Sequence, residues 1–163
     1  MKHVGAALLL VCALASNSAG AQSSTDAVLA ETLYRQGREL MAAGKAAEAC
    51  PKFAESHRLD PATGTQLNLA SCYEAVGKLA SAWLAYTEAA VTARRDGRVD
   101  RVRFAEERIA LLEPKLSRLT INVSPGADAA GLEVRLNGAL LGAASRGVPS
   151  PVDPGTYRIE ATA

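Results

Sequence analysis

Two cysteines and one histidine are the most chemically distinctive side chains after residue 21. Cys50 and Cys72 each lie in a stretch with helical periodicity. If the turn between those helices is centred near Ala62, Cys50 lies about 12 residues before it and Cys72 about 10 residues after it. Antiparallel helices bring such positions side by side. We therefore predict a Cys50–Cys72 disulfide, and the alternative is two buried thiols that pack as small apolar side chains.

The rest of the sequence contains no recognisable pattern of catalytic residues. His57 falls in the last turn of a predicted helix, where a cation complements the helix dipole. One histidine and two helix-borne cysteines cannot supply a four-ligand zinc site. The sequence contains neither a Gly-x-Ser-x-Gly motif nor a glycine-rich phosphate loop. We predict no enzyme activity, no cofactor and no metal; a pair of catalytic carboxylates is the open alternative.

The charge balance bears on the class of partner. The 163 residues include 18 Lys and Arg and 17 Asp and Glu, and Lys2 is the only charged residue before Gln22. Residues 22–163 are therefore neutral overall, and a neutral chain has no global field to attract nucleic acid. Arginines cluster only near residues 94–103, where we expect a solvated helix end, with an acidic partner as the alternative.

The first 21 residues have the pattern of a secretory signal peptide. Lys2 precedes an apolar run from Val4 to Ala15, and Ala19-Gly20-Ala21 fits the small-x-small cleavage rule. The run is too short to span a bilayer comfortably. We predict cleavage after Ala21, a polar leader over 22–29, and a periplasmic or secreted chain without an integral membrane segment. An uncleaved anchor is the alternative.

Residues 30–89 contain two copies of one helical hairpin, offset by 33 positions. Gly44-Lys45 recurs as Gly77-Lys78, Ala49 as Ala82, and Phe53 as Tyr86. A small residue midway along the first helix (Gly37, then Ala70) lets the second helix approach closely, and the aromatic fills the gap. The predicted helices cover 27–43, 46–58, 64–76 and 79–95. Asp26 is the expected N-cap of the first helix, and Thr63 with Gln66 an expected capping box.

Two features modify this helical pattern. Pro51 lies inside the second helix, where we expect a kink or a delayed helix start. A fifth amphipathic helix over 99–112 is expected to cover the open flank of the array. Its apolar face comprises Val102, Ala105, Ile109 and Leu112. The residues expected to point away are Arg101, Glu107 and Arg108.

The repeat resembles the tetratricopeptide (TPR) pattern. The first copy matches it at Gly37, Leu40, Gly44, Ala49, Phe53 and Leu59-Asp60-Pro61, and the second at Leu69, Ala70, Tyr73, Gly77, Ala82, Tyr86 and Ala89. The resemblance implies an array whose first helices line a groove for a peptide or protein. The candidate groove residues that it implies are Tyr34, Arg38, Met41, Asn68, Ser71 and Arg103. Tyr34 and Arg38 replace the Lys and Asn of peptide-carboxylate clamps, and packing is the alternative role for Tyr34 and Met41.

The pattern changes to β-strands after Pro114. Residues 119–123, 132–136 and 157–161 alternate, and Asn137-Gly138 is a strong hairpin signal. Ser124-Pro-Gly-Ala127, Leu136-Asn-Gly138, Leu141-Gly142 and Pro154-Gly155-Thr156-Tyr157 resemble the PEGA-type β-domain of bacterial envelope proteins. Because no closing strand follows residue 161, we expect either a chain cut short or a sheet with an open edge.

These observations predict a mainly α protein. A TPR-like array with a capping helix (30–117) precedes a small, incomplete antiparallel β-sandwich-type domain (118–163). The predicted function is that of a non-catalytic, exported adaptor that binds a peptide or protein of the cell envelope. The alternative is a cell-wall protein that binds peptidoglycan or another polysaccharide through the β-domain.

Overall fold

The computed structural model describes residues 18–124, 126 and 131–162. Within these residues the helices are α1 (Ser18–Ala42), α2 (Ala46–Leu59), α3 (Thr63–Ala75), α4 (Leu79–Arg95) and α5 (Val99–Leu112). The strands are β1 (Ser117–Leu119), β2 (Glu133–Leu136), β3 (Ala139–Leu141), β4 (Ser150–Val152) and β5 (Ile159–Thr162). We call α1–α5 the helical array and residues 117–162 the β-region. The predicted fold class, mainly α followed by a small antiparallel β part, is confirmed.

Each helix of the array packs against the next one in sequence. Gly44, Gly77 and Gly97 follow α1, α3 and α4 with φ of +73°, +77° and +68°, a backbone conformation that glycine adopts without strain. The residue after each glycine donates its N–H to a carbonyl five residues earlier, and these bonds are Lys45 to Leu40 (2.9 Å), Lys78 to Tyr73 (2.9 Å) and Arg98 to Ala93 (2.8 Å). The same reversal thus ends each of these three helices.

The small residues in the repeat permit close helix packing, as predicted. A Cβ built on Gly37 would lie 2.7 Å from Cε1 of Phe53, so α2 can pack here only because α1 carries no side chain at that position. Phe53 and Ala49 are completely buried, and Ala70, Ala82 and Tyr86 are buried in the second copy. The 33-residue pattern therefore encodes two similar interfaces.

The predicted proximity of the two cysteines is also confirmed. Cys50 in α2 and Cys72 in α3 lie at disulfide-bonding distance, with their Cα atoms 5.5 Å apart. Both side chains are buried, in the core cluster that contains Phe53 and Leu69. A bond at this position would connect the two helical hairpins.

Removal of this crosslink is expected to destabilise the array. The bond closes a loop over a sequence separation of 22 residues, for which the chain-entropy model gives about 3 kcal/mol. Free-thiol titration of the folded, oxidised chain from residue 22 onward, which lacks Cys12, should find no reactive thiol. Urea unfolding of Cys50→Ala/Cys72→Ala should give a lower free energy of unfolding than the oxidised wild type. Two titratable thiols in the oxidised protein would instead support the buried-thiol alternative.

Several predicted helix boundaries are wrong. α1 begins at Ser18, so Asp26 lies inside it and is not its N-cap, and the expected leader is helical. α2 begins at Ala46 and contains Pro51, which excludes a delayed start. Thr63 is the first residue of α3 rather than its cap, and its hydroxyl donates to Asp96 (3.4 Å). The capping box is therefore absent because Thr63 bonds to the end of α4 instead.

The β-region contains two small antiparallel sheets. β1 pairs with β4, while β2 pairs with both β3 and β5. Asn137 (φ +50°) and Gly138 (φ +81°) form the two-residue turn between β2 and β3, which confirms the predicted hairpin. The strand expected at 119–123 is wrong, since β1 ends at Leu119. β1 is positioned by its pairing with β4, a strand that the sequence did not signal.

α5 covers the last flank of the array, as predicted. Ala105 and Leu112 are buried in one cluster with Ala82, Tyr86 and Ala90, and Ile109 packs against it while half-buried. The predicted orientation of two polar residues is wrong, because Arg101 and Arg108 both face α3.

Candidate partner groove

Side chains of α1, α3 and α5 border an open cleft on one face of the array. The cleft has a volume of about 250 Å³. Tyr34 and Glu31 line it from α1, Gly64 from α3 and Arg101 from α5, with Asp60 at the end of α2. The first helices of the two hairpins and α5 therefore supply most of this surface.

Three of the predicted groove residues meet at the edge of this cleft. Arg38 donates from Nη1 to the hydroxyl oxygen of Tyr34 (3.2 Å), and Asn68 donates to the same oxygen from Nδ2 (3.4 Å). Asn68 also donates to the carbonyl of Gly64 (2.8 Å), which fixes its amide across the gap between α1 and α3. Because two donors occupy the Tyr34 oxygen, the hydroxyl proton of Tyr34 remains available to an acceptor in the cleft.

Ser71, the fourth predicted residue, belongs to a second polar cluster. Its Oγ lies 2.9 Å from the hydroxyl oxygen of Tyr86, which donates to Glu74 (3.3 Å). Arg108 in α5 donates to Glu74 from Nε (3.1 Å) and from Nη2. Burial raises the pKa of Tyr86, against the opposing effect of its hydrogen bond to Ser71. Burial lowers the pKa of Arg108, but the hydrogen bond and charge of Glu74 outweigh it, and the pKa is raised.

This second cluster lines a further open cleft of about 410 Å³ with Phe104 of α5, whose ring is 43% exposed. The Phe104 and Tyr86 rings meet edge to face, with centroids 6.0 Å apart. Since hydrogen bonds within the cluster occupy its polar groups, the feature that it offers to a ligand is the exposed Phe104 ring.

The other two predicted groove residues lie elsewhere. Met41 packs against the core cluster around Phe53, which agrees with its alternative role in packing. The Arg103 side chain is 79% exposed and pairs with Glu107 (3.8 Å). It lies two residues from buried Ala105, which places it on the opposite side of α5.

Arg101 also lines the cleft, although the sequence did not place it among the candidate groove residues. Its guanidinium lies beside Gly64, and Nη1 is 3.7 Å from the position that a Cβ on this glycine would take. The sequence signal for this contact is a glycine on α3 that leaves room for an arginine on the capping helix. This signal can be used only once the crossing of α5 over α3 is known.

Comparisons with protein-family models, curated proteins and solved structures give no match.

The described residues contain no cluster of three or more His, Cys, Asp or Glu side chains that could hold a metal ion. Nor does any described helix combine the length and apolarity that crossing a bilayer requires. His57 lies in α2, and its Nδ1 is buried without a hydrogen-bond partner among the described residues. Tyr34 and Arg101 line the cleft of about 250 Å³, and Asn68 bonds to Tyr34 at its edge, so these three residues define the candidate groove.

Proposed function

We propose that this protein is a non-catalytic, exported adaptor whose helical array binds a peptide or protein partner in the cleft between α1, α3 and α5. The observation that carries the proposal is Arg101. Its side chain is half-buried at the cleft and makes no ion pair or hydrogen bond with the described residues. A guanidinium presents five donors, so a partner that supplies acceptors gains charge-assisted hydrogen bonds here.

The mixed charge of the cleft favours a polypeptide over a polyanion. Arg101 and the free Tyr34 proton are donors, whereas Glu31 and Asp60 on the same walls are acceptors. An extended peptide presents both N–H and C=O groups along its backbone and can satisfy both kinds of wall residue. The two carboxylates would repel a nucleic acid or another polyanion.

Export and the envelope location rest on the N-terminal pattern, and the adaptor role agrees with the TPR and PEGA resemblances. The alternative role, polysaccharide binding through the β-region, would leave the cleft unused. The two functions therefore differ in which part of the chain a ligand contacts.

Arg101→Ala is expected to weaken peptide binding about 10-fold or more, because charged hydrogen bonds contribute about 1.5–3 kcal/mol. The measurement is a screen of the purified full chain against a random-peptide array, followed by titration of the tightest peptide. Arg103→Ala is the matched control, since it removes an arginine from the exposed side of the same helix. It should leave the dissociation constant unchanged.

Equal losses in both variants would indicate a general charge effect and contradict the proposed cleft. Sedimentation with purified peptidoglycan tests the alternative with the same proteins. If the wild type and Arg101→Ala bind peptidoglycan equally well and no peptide binds either protein, the polysaccharide-binding function is favoured.

A further inference from the structure

The first turn of α4 has an unusual capping arrangement. The first N–H groups of a helix have no partner within the helix, and a side-chain oxygen at the N-cap normally accepts from them. The N-cap of α4 is Lys78, which makes no capping hydrogen bond and has no acceptor in its side chain. The helix must therefore find an acceptor elsewhere or leave these groups to water.

Asp153 of the β-region supplies this acceptor. Its Oδ1 accepts from the backbone N–H of Ala80 (2.9 Å) and of Ser81 (3.1 Å). Its Oδ2 accepts from the Ser81 hydroxyl (2.5 Å). A carboxylate at this position also interacts favourably with the positive end of the helix dipole. Asp153 thus does what a local N-cap would do, from a position 72 residues after Ser81.

The loop that carries Asp153 is held in place on both sides. Asp153 directly follows β4, which pairs with β1 and so with the segment leaving α5. On the other side, the Tyr157 hydroxyl donates to the Asp153 carbonyl (2.6 Å). The carboxylate is therefore presented to α4 by a constrained loop.

The β-region has little core of its own to fix its position. Val134, 3% exposed, is the only fully buried side chain among its described residues. β4 and α4 are in contact where the Asp153 hydrogen bonds form. The segment 113–116 otherwise connects the β-region to the array.

We propose that Asp153 is an interdomain helix cap that docks the β-region onto the first turn of α4. With the cap in place, the β-region and the helical array have one relative orientation. Without it, the β-region turns about the segment 113–116. The device is independent of the partner groove, because none of its residues lines that cleft.

Amide hydrogen exchange of the full chain, followed by NMR, tests this proposal directly. In the wild type the Ala80 and Ser81 amides should exchange slowly although they lie in the first turn of a helix. Asp153→Ala should speed their exchange about tenfold or more, since charged hydrogen bonds are lost. Residual dipolar couplings should then no longer fit one orientation of the β-region. Glu160→Ala, which removes an exposed carboxylate from β5, is the matched control and should change neither measurement.

Two milder variants keep the test decisive if Asp153→Ala does not fold. Ser81→Ala removes only the hydroxyl bond, so both amides should stay protected. Asp153→Asn keeps an acceptor but loses the charge, so protection should fall between the wild type and Asp153→Ala. Fast exchange of both amides in the wild type, or unchanged protection in every Asp153 variant, would overturn the proposal.

Discussion

Phe53→Ala is expected to lower the free energy of unfolding by about 3–5 kcal/mol. The ring is 0% exposed, and its edge faces Gly37, where an added Cβ would lie 2.7 Å away. Because glycine has no side chain that could move into the vacated space, α1 cannot fill the cavity without a backbone shift. Guanidinium unfolding of the oxidised protein, monitored by circular dichroism, measures the loss.

The chain offers a matched control for this prediction, since Phe104 is its only other phenylalanine. Phe104 is 43% exposed and contacts the ring of Tyr86 at its edge. Phe104→Ala should therefore cost only about 1 kcal/mol. Equal losses in the two variants would contradict the placement of the core between α1 and α2.

Gly37→Ala gives an independent check of the same contact. In the wild type the new methyl group would collide with the Phe53 ring, an overpacking that costs about 1–3 kcal/mol. In the Phe53→Ala background the same methyl group would lie in the cavity. The two substitutions should therefore be non-additive. The double variant should lose less free energy of unfolding than the two single variants lose together.

The features that sequence reasoning predicted correctly depend on counting residues from the turn between two neighbouring helices. Gly37 and Phe53 belong to one helical hairpin, so the helical repeat and a short turn determine their proximity. The same counting from the turn near Ala62 placed Cys50 beside Cys72. In each case the two helices are adjacent in sequence, and little freedom remains once their turn is known.

The features that it missed depend on contacts between distant segments. Asp153 caps α4 from a separate part of the chain, and no local pattern indicates such a contact. From the sequence, apolar residues alone define the buried face of α5, and this places Arg101 and Arg108 on the solvent face. Long arginine stems can instead lie along a helix interface and carry their charge to its edge, as Arg108 does at Glu74.

A chain ending at Gly97 is expected to lose cooperative folding. α5 supplies Ala105 and Leu112, which are 0% and 1% exposed, to the core cluster that contains Ala82 and Tyr86. Without α5 this flank of α4 becomes a contiguous apolar surface, and such surfaces promote association. The bond between Glu74 and Arg108 is lost as well. The expected result is an aggregated or molten fragment without a sigmoidal urea transition.

A fragment that ends at Leu116 is the appropriate control. It retains α5 and the buried Leu116 side chain but lacks the β-region. If α5 is the cap of the array, residues 22–116 should remain monomeric and unfold in one cooperative transition, while residues 22–97 should not. Size-exclusion chromatography and urea unfolding at matched concentrations separate the two fragments. A soluble, cooperatively folding fragment ending at Gly97 would contradict this prediction. It would show that the two hairpins form a sufficient core by themselves and that α4 tolerates an exposed alanine face in water.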